Sequence, residues 1–196
     1  MKRTGWAATG LWVLLCMAPA GCAAGRDKRP ALAQDTNSGS PVSAPADRHK
    51  GRGRVRDADG RFSIVPPPGW KSAGPFMGSL MTYAGPLEGG FAVCFNALVQ
   101  KDSATPEEVL PKLKALLGKT LTEHQAVSEG FTTIDDKAAY RYSCKFVQGQ
   151  FTLQTLQYGV STGTGKFYVI TFTAPVAVFE KYRPLFEATA KTARMD

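Results

Sequence analysis

The chain has 196 residues, 43% of them hydrophobic, with 24 Lys and Arg against 16 Asp and Glu, a net charge of +8. That size and apolar content suit one modest globular domain that needs neither a metal nor a disulfide to fold. The basic excess is uneven: residues 1–60 hold ten basic against five acidic side chains and residues 61–196 fourteen against eleven, which argues against a domain built for specific nucleic-acid binding.

The first element is a leader. Lys2 and Arg3 precede the apolar run Leu11, Trp12, Val13, Leu14, Leu15, Cys16, Met17 and Ala18. The run is shorter than the ~20 apolar residues needed to span a bilayer core, and a charged start, short apolar core and small residues describe a secretory signal peptide. Ala20-Gly21-Cys22 then resembles the end of a bacterial lipobox, although Pro19 stands where Leu is usual. Two processing routes follow: acylation of Cys22 with residues 1–21 removed, or ordinary cleavage after Ala20 at Ala18-Pro19-Ala20. The first gives a membrane partner through a lipid anchor.

Residues 22–60 read as a tether. They are rich in Ala, Pro, Ser, Gly, Asp and Arg and almost devoid of large apolar side chains, too few to offset the entropy of ordering. Within them Arg48, Lys50, Arg52, Arg54 and Arg56, with His49, form a basic run. It is either a contact for an anionic surface or polymer, or a solvated basic linker. No aromatic residue interleaves it to stack on bases.

Residues 61–196 read as the domain. Arg61 to Val65 is a short alternating strand stopped by Pro66, Pro67 and Pro68, with Gly69 and Trp70 following. Ser79 to Ala84 is a second strand, broken by Gly85, Pro86, Gly89 and Gly90. Phe91 to Val99 alternates, with Phe91, Val93, Phe95, Ala97 and Val99 on one face and Ala92, Cys94, Asn96 and Leu98 on the other. Thr105 as N-cap, Pro106 and Glu108 open a helix to Gly118, with Val109, Leu110, Leu113, Leu116 and Leu117 as its apolar stripe and Pro111 inside. Four strands at about 125–134, 138–147, 150–158 and 166–173, joined by tight turns at Asp135-Asp136-Lys137 and Gln148-Gly149, imply an antiparallel meander. A helix over 176–193 closes the chain, with a kink or break expected at Pro184. The class is α+β: an antiparallel sheet with flanking helices.

This order resembles the PsbP-like fold, shared by the extrinsic PsbP protein of photosystem II, the Ran-binding import factor Mog and bacterial envelope lipoproteins of the DcrB type. The likeness rests on Phe62, Ile64, Pro66, Gly69 and Trp70, the capped helix, the meander, and the stretch from Phe167 to Phe186. It implies an α/β/α sandwich and a non-catalytic binding or assembly role. No partner-contact position of those proteins maps onto a residue here.

Chemistry is sparse. A hydrolytic triad needs a nucleophile, a histidine and an acid, and the domain's one histidine is His124, beside Glu123 and close to Ser128. Metal-ligand spacing is missing, so no metal or cofactor is expected. Gly163-Thr164-Gly165-Lys166 fails the phosphate-loop pattern at Val160 and Phe167. Asp135-Asp136 reads as a turn. Cys94 and Cys144 are either a disulfide in an oxidising compartment or two buried thiols. Tyr140, Tyr142, Phe146, Tyr158, Tyr168 and Phe172 form either a ligand face or ordinary sheet cover. The expected function is a non-catalytic envelope lipoprotein that binds another envelope protein or polymer. The alternatives are a hydrolase around His124 and an anionic-polymer binder acting through residues 48–56.

Overall fold

The computed structural model describes residues 53–76 and 78–195. Its long elements are β4 (Met81–Glu88), β5 (Phe91–Lys101), α1 (Pro106–Thr120), β6 (Thr122–Ile134), β7 (Lys137–Gln148), β8 (Phe151–Ser161), β9 (Lys166–Pro175) and α2 (Val176–Ala190). Three two- or three-residue strands precede them, β1 (Val55–Arg56), β2 (Phe62–Ile64) and β3 (Lys71–Ser72), and β10 (Arg194–Met195) ends the chain.

Local chemistry places each element. The Thr105 hydroxyl accepts from the Glu108 N–H, and the Glu108 carboxylate accepts from the Thr105 N–H at 3.0 Å, closing a capping box on α1. Glycine pairs turn the β4–β5 hairpin, with Gly89 and Gly90 at φ +58° and +87°. Asp135 and Asp136 adopt φ +53° and +56° between β6 and β7, the left-handed pair that a two-residue hairpin turn demands.

Strands β6 to β9 form the expected meander, and β5 lies against β9, giving the order β3-β4-β5-β9-β8-β7-β6, all antiparallel. The α1 crossover carries the chain from β5 to the far edge. Strands β1, β2 and β10 make a separate small sheet. One face of the large sheet packs Val109, Leu110, Leu113 and Leu117 of α1 on Tyr140, Tyr142, Phe146 and Leu153. The other packs Phe179, Tyr182 and Phe186 of α2 on Phe95, Leu156, Ile170 and Phe172. The result is an α/β/α sandwich, as the resemblance implied.

Four expectations change. The domain begins before residue 61: Val55 pairs with Ile64 and Arg56 with Ser63, so the boundary at 60 falls inside a hairpin. Gly85 and Pro86 do not end β4, because a bulge between Ala84 and Leu87 absorbs the missing proline donor. Phe91 joins the α1 core while Val93, Phe95 and Ala97 join the α2 core, a slip in the alternation next to that bulge. α2 runs unbroken through Pro184, carried by Tyr182 and Phe186 buried on either side of it.

The β6–β7 turn also anchors the C-terminus. Asp135 Oδ2 accepts from the Met195 N–H at 2.8 Å and from Lys137 at 3.1 Å, and Arg194 stands 3.4 Å from Oδ1. Burial opposes ionisation of this carboxyl, but those three partners outweigh it and hold its pKa below the ordinary value. Its stabilisation is fully present above the unfolded pKa of about 3.9 and is lost as pH falls through the lower folded value. Asp135→Asn should therefore cost most at neutral pH. In urea denaturation series the gap from wild type should close as pH falls from the unfolded carboxylate range of about 3.9 through the lower folded value; a gap that stays constant would show that the charge contributes nothing.

Candidate functional site

The residues singled out in the sequence are scattered. Cys22, Arg48, Lys50, Arg52 and His49 lie outside the described residues. Arg54 is engaged within the fold: its Nη1 donates to Ser63 Oγ at 3.1 Å and to the Thr192 carbonyl at 2.8 Å, tying the chain ahead of β1 to the small sheet. Arg56 donates to the Gly60 carbonyl at 3.0 Å and braces the β1–β2 turn.

The expected Cys94–Cys144 bridge is not formed. Cys144 is a free, buried thiol, and its Sγ lies 3.3 Å from Thr155 Oγ1. Register explains this. Cys94 pairs with Thr173, Thr173 with Thr155, and Thr155 with Cys144. Three strand spacings of about 4.8 Å put the two positions roughly 14 Å apart, twice the ~7 Å reach of a disulfide. Burial raises the Cys144 thiol pKa, only partly countered by Thr155, so the thiolate is suppressed.

His124 and Ser128 are on opposite faces of the sheet. The His124 ring stacks on Tyr142, with Nε2 3.0 Å from the phenol oxygen, on the α1 side. Ser128 Oγ accepts from Arg141 Nη1 at 3.4 Å, and Arg141 pairs with Glu187 of α2 at 3.0 Å. Glu123 is exposed at φ +54°. Burial lowers the His124 pKa and pushes the Tyr142 phenol up to about 12, with Cys144 and Glu129 adding to it. No nucleophile–base–acid set is assembled from these three. Tyr140, Tyr142, Phe146, Tyr158, Tyr168 and Phe172 are all buried, as sheet cover rather than an open ligand face. Among the described residues no three His, Cys, Asp or Glu side chains gather to hold a metal.

A concave feature among the described residues lies elsewhere, at the β3–β4 edge. An open groove of about 390 Å³ is lined by Pro68, Gly69, Trp70, Lys71, Ala84, Gly85 and Pro86, within the size range of small-ligand sites. The proline run halts the chain after β2, and Gly69 at φ +80° turns it so that Trp70 meets β4. The indole occupies the space a side chain at 85 would need: a Cβ there would lie 2.4 Å from Trp70 Cε2. Trp70 also meets Phe95 at 6.0 Å and the edge of Phe186 at 6.3 Å.

From Phe186 the contact runs on through Tyr182, stacked at 6.0 Å, to Glu88 at the end of β4. Tyr182 Oη donates to Glu88 Oε1 at 2.5 Å and Lys181 Nζ donates to it at 2.8 Å. Lys181 and then Tyr182 lower the Glu88 pKa, and Glu88 raises that of Lys181. This carboxylate is thus ionised and engaged. Among the described residues Lys71 has no ion pair, and Leu87, beside Pro86, is 72% exposed. The groove therefore offers an aromatic plate, a cation and the apolar rings of Pro68 and Pro86, which suit binding rather than bond cleavage. The motif Gly69-Trp70 was legible in the sequence; its pairing with Gly85 was not, because the two are joined only by the fold.

No family model matches the chain, and no curated protein sequence matches it. Solved structures do. The cyanobacterial PsbP (CyanoP) of Synechocystis aligns with 80% of this chain and 100% of its own, at TM-score 0.56 and 12% identity. LpqN of Mycobacterium tuberculosis, described as involved in cell envelope biogenesis, aligns with 72% of this chain and 88% of its own, at TM-score 0.56 and 14% identity. A Pseudomonas aeruginosa protein of unknown function aligns with 71% of this chain and 93% of its own, at TM-score 0.53 and 13% identity. At such identities the likeness is one of fold alone, and the fold is the PsbP-like one.

Proposed function

We propose that this chain is a non-catalytic bacterial envelope lipoprotein, exported, acylated at Cys22 and held on a tether, whose domain binds another envelope component. The groove beside Trp70 carries the binding part of this reading. There a concave surface, exposed prolines and a lysine with no ion pair among the described residues coincide. The leader and the Ala20-Gly21-Cys22 sequence support the anchoring part. A fold similar to that of a protein described as involved in cell envelope biogenesis supports the location.

Two measurements test it. Intact mass of the mature protein extracted from membranes should carry acyl groups on Cys22; an unmodified mass would make it a soluble secreted domain. A photo-crosslinking residue at Pro68 should capture a discrete envelope component, whereas one at Lys119, on the exposed end of α1, should not. Equal capture from both positions would remove the groove from the function. Turnover of an envelope substrate that is abolished by His124→Ala would overturn the non-catalytic reading.

A further inference from the structure

We infer that the projecting end of the β5–β9 pair is a binding site for a phosphate-type oxyanion, held between Lys101 and Lys166. The two lysines are direct partners in the antiparallel register, which places their Cβ atoms about 5 Å apart on one face. Like charges so placed repel and destabilise the sheet. Neither has an ion pair among the described residues.

The acidic groups nearby in sequence are engaged elsewhere. Asp102, just past the end of β5, accepts the Ala104 N–H at 2.9 Å through its Oδ1. Glu108 caps α1 through Thr105.

The geometry is open and fixed. β4 pairing reaches only to Met81↔Ala97, so Val99 to Lys101 have β9 on one side and no β4 partner on the other. Lys166 is pinned because its carbonyl accepts from the Thr162 N–H at 3.1 Å and the Thr162 hydroxyl at 3.0 Å. Exposed Arg61 stands one residue before Phe62, whose ring stacks on Tyr168 at 5.5 Å, two residues from Lys166. A doubly charged oxyanion between two ammonium groups turns their repulsion into attraction. Lysines act as point charges with rotatable donors, which suits a tetrahedral phosphate.

The site is separate from the Trp70 groove, so either can fail alone. The test uses the full mature chain with Cys22→Ser, so that no acyl group contributes, against the same chain with Lys101→Gln and Lys166→Gln. In sodium chloride the double variant should melt higher, by about 1–4 °C, because the repulsion is gone. At matched ionic strength inorganic phosphate should raise Tm more in wild type than in the variant; the general salting effect of phosphate is common to both and cancels. A variant that melts lower in chloride, or equal phosphate increments in both proteins, would overturn the site. Co-sedimentation with phosphatidylglycerol vesicles then separates the sources. Retention of wild type with loss in the variant identifies a lipid headgroup, and a phosphate effect without vesicle retention identifies a soluble phosphate-bearing ligand.

Discussion

Gly159→Ala should cost about 3–5 kcal/mol, a large share of the 5–15 kcal/mol that holds a typical domain together. Gly159 lies in β8 between Tyr140 of β7 and Val169 of β9. A Cβ there would lie 2.1 Å from Tyr140 Cε1 and 2.7 Å from Phe167 Cε1. Neither ring has room to retreat: both are 1% exposed and they stack at 6.0 Å beneath α1. Overpacking of this kind costs about 1–3 kcal/mol. Displacing Tyr140 also breaks the bond its hydroxyl donates to Gln157 Oε1 at 3.0 Å, leaving a buried amide short of a partner at about 1–3 kcal/mol more. Urea denaturation measures the loss. Gly130→Ala in β6 is the control, since nothing lies within 4 Å of its Cβ position; it should be neutral or stabilise by up to about 1 kcal/mol. If Gly159→Ala does not fold, Tyr140→Leu in the same chain should restore folding, because it removes the nearer of the two clashing rings and gives Phe167 room to move. A loss below about 1 kcal/mol in Gly159→Ala would show that the rings slide aside freely.

This position shows where sequence reading stops. Strands β5 to β9 were legible because period-two alternation and paired turn residues agree over ten or more residues, and α1 because its capping box and stripe coincide. Strands β1, β3 and β10 have two residues each, too few for any period to show, and they exist only through their pairing partners, which for β10 lie about 130 residues back in β2. Arg54 illustrates the consequence. Read in line with Arg48 and Lys50 it belongs to a charge run, yet it donates to a carbonyl 138 residues away. Gly159 itself gives no signal, since a glycine inside an alternating strand looks like a weakness until two rings are found over it.

The candidate site was legible in even smaller part. Cys94 and Cys144 do share a face and a row of the sheet, so the alternation was right. Strand order decides the bond, and the order is set by α1 carrying the chain past the three positions that β9, β8 and β7 fill. Likewise His124 and Ser128 are four residues apart but face opposite sides of β6, because the strand shifts register between Ala126 and Ser128. Proximity along a strand is a poor guide to a shared site when a bulge re-aims side chains.

Phe186→Ala should cost about 3–5 kcal/mol and loosen the groove at the same time. Phe186 is fully buried and touches four other rings: Phe172 at 5.0 Å, Phe179 at 5.7 Å, Tyr182 at 6.0 Å and Trp70 at 6.3 Å. Truncating a buried Phe leaves a cavity whose cost lies in that range. The functional consequence follows from its position between α2 and the groove. Trp70 rests its plate on the Phe186 edge, so removing the ring frees the indole from one of its two aromatic supports. With residues 1–21 removed, Trp70 is the single tryptophan left, because Trp6 and Trp12 fall within them. Its fluorescence therefore reports this site alone. In the folded variant, emission should shift to the red and acrylamide quenching should increase, and the crosslink from Pro68 should weaken. Phe186→Leu, closer in volume, should keep the fold and show the same changes in smaller degree, which preserves the test if the alanine variant unfolds. Unchanged emission in both variants would show that Phe95 and Gly85 hold Trp70 by themselves, and that the aromatic chain from α2 is core packing with no bearing on binding.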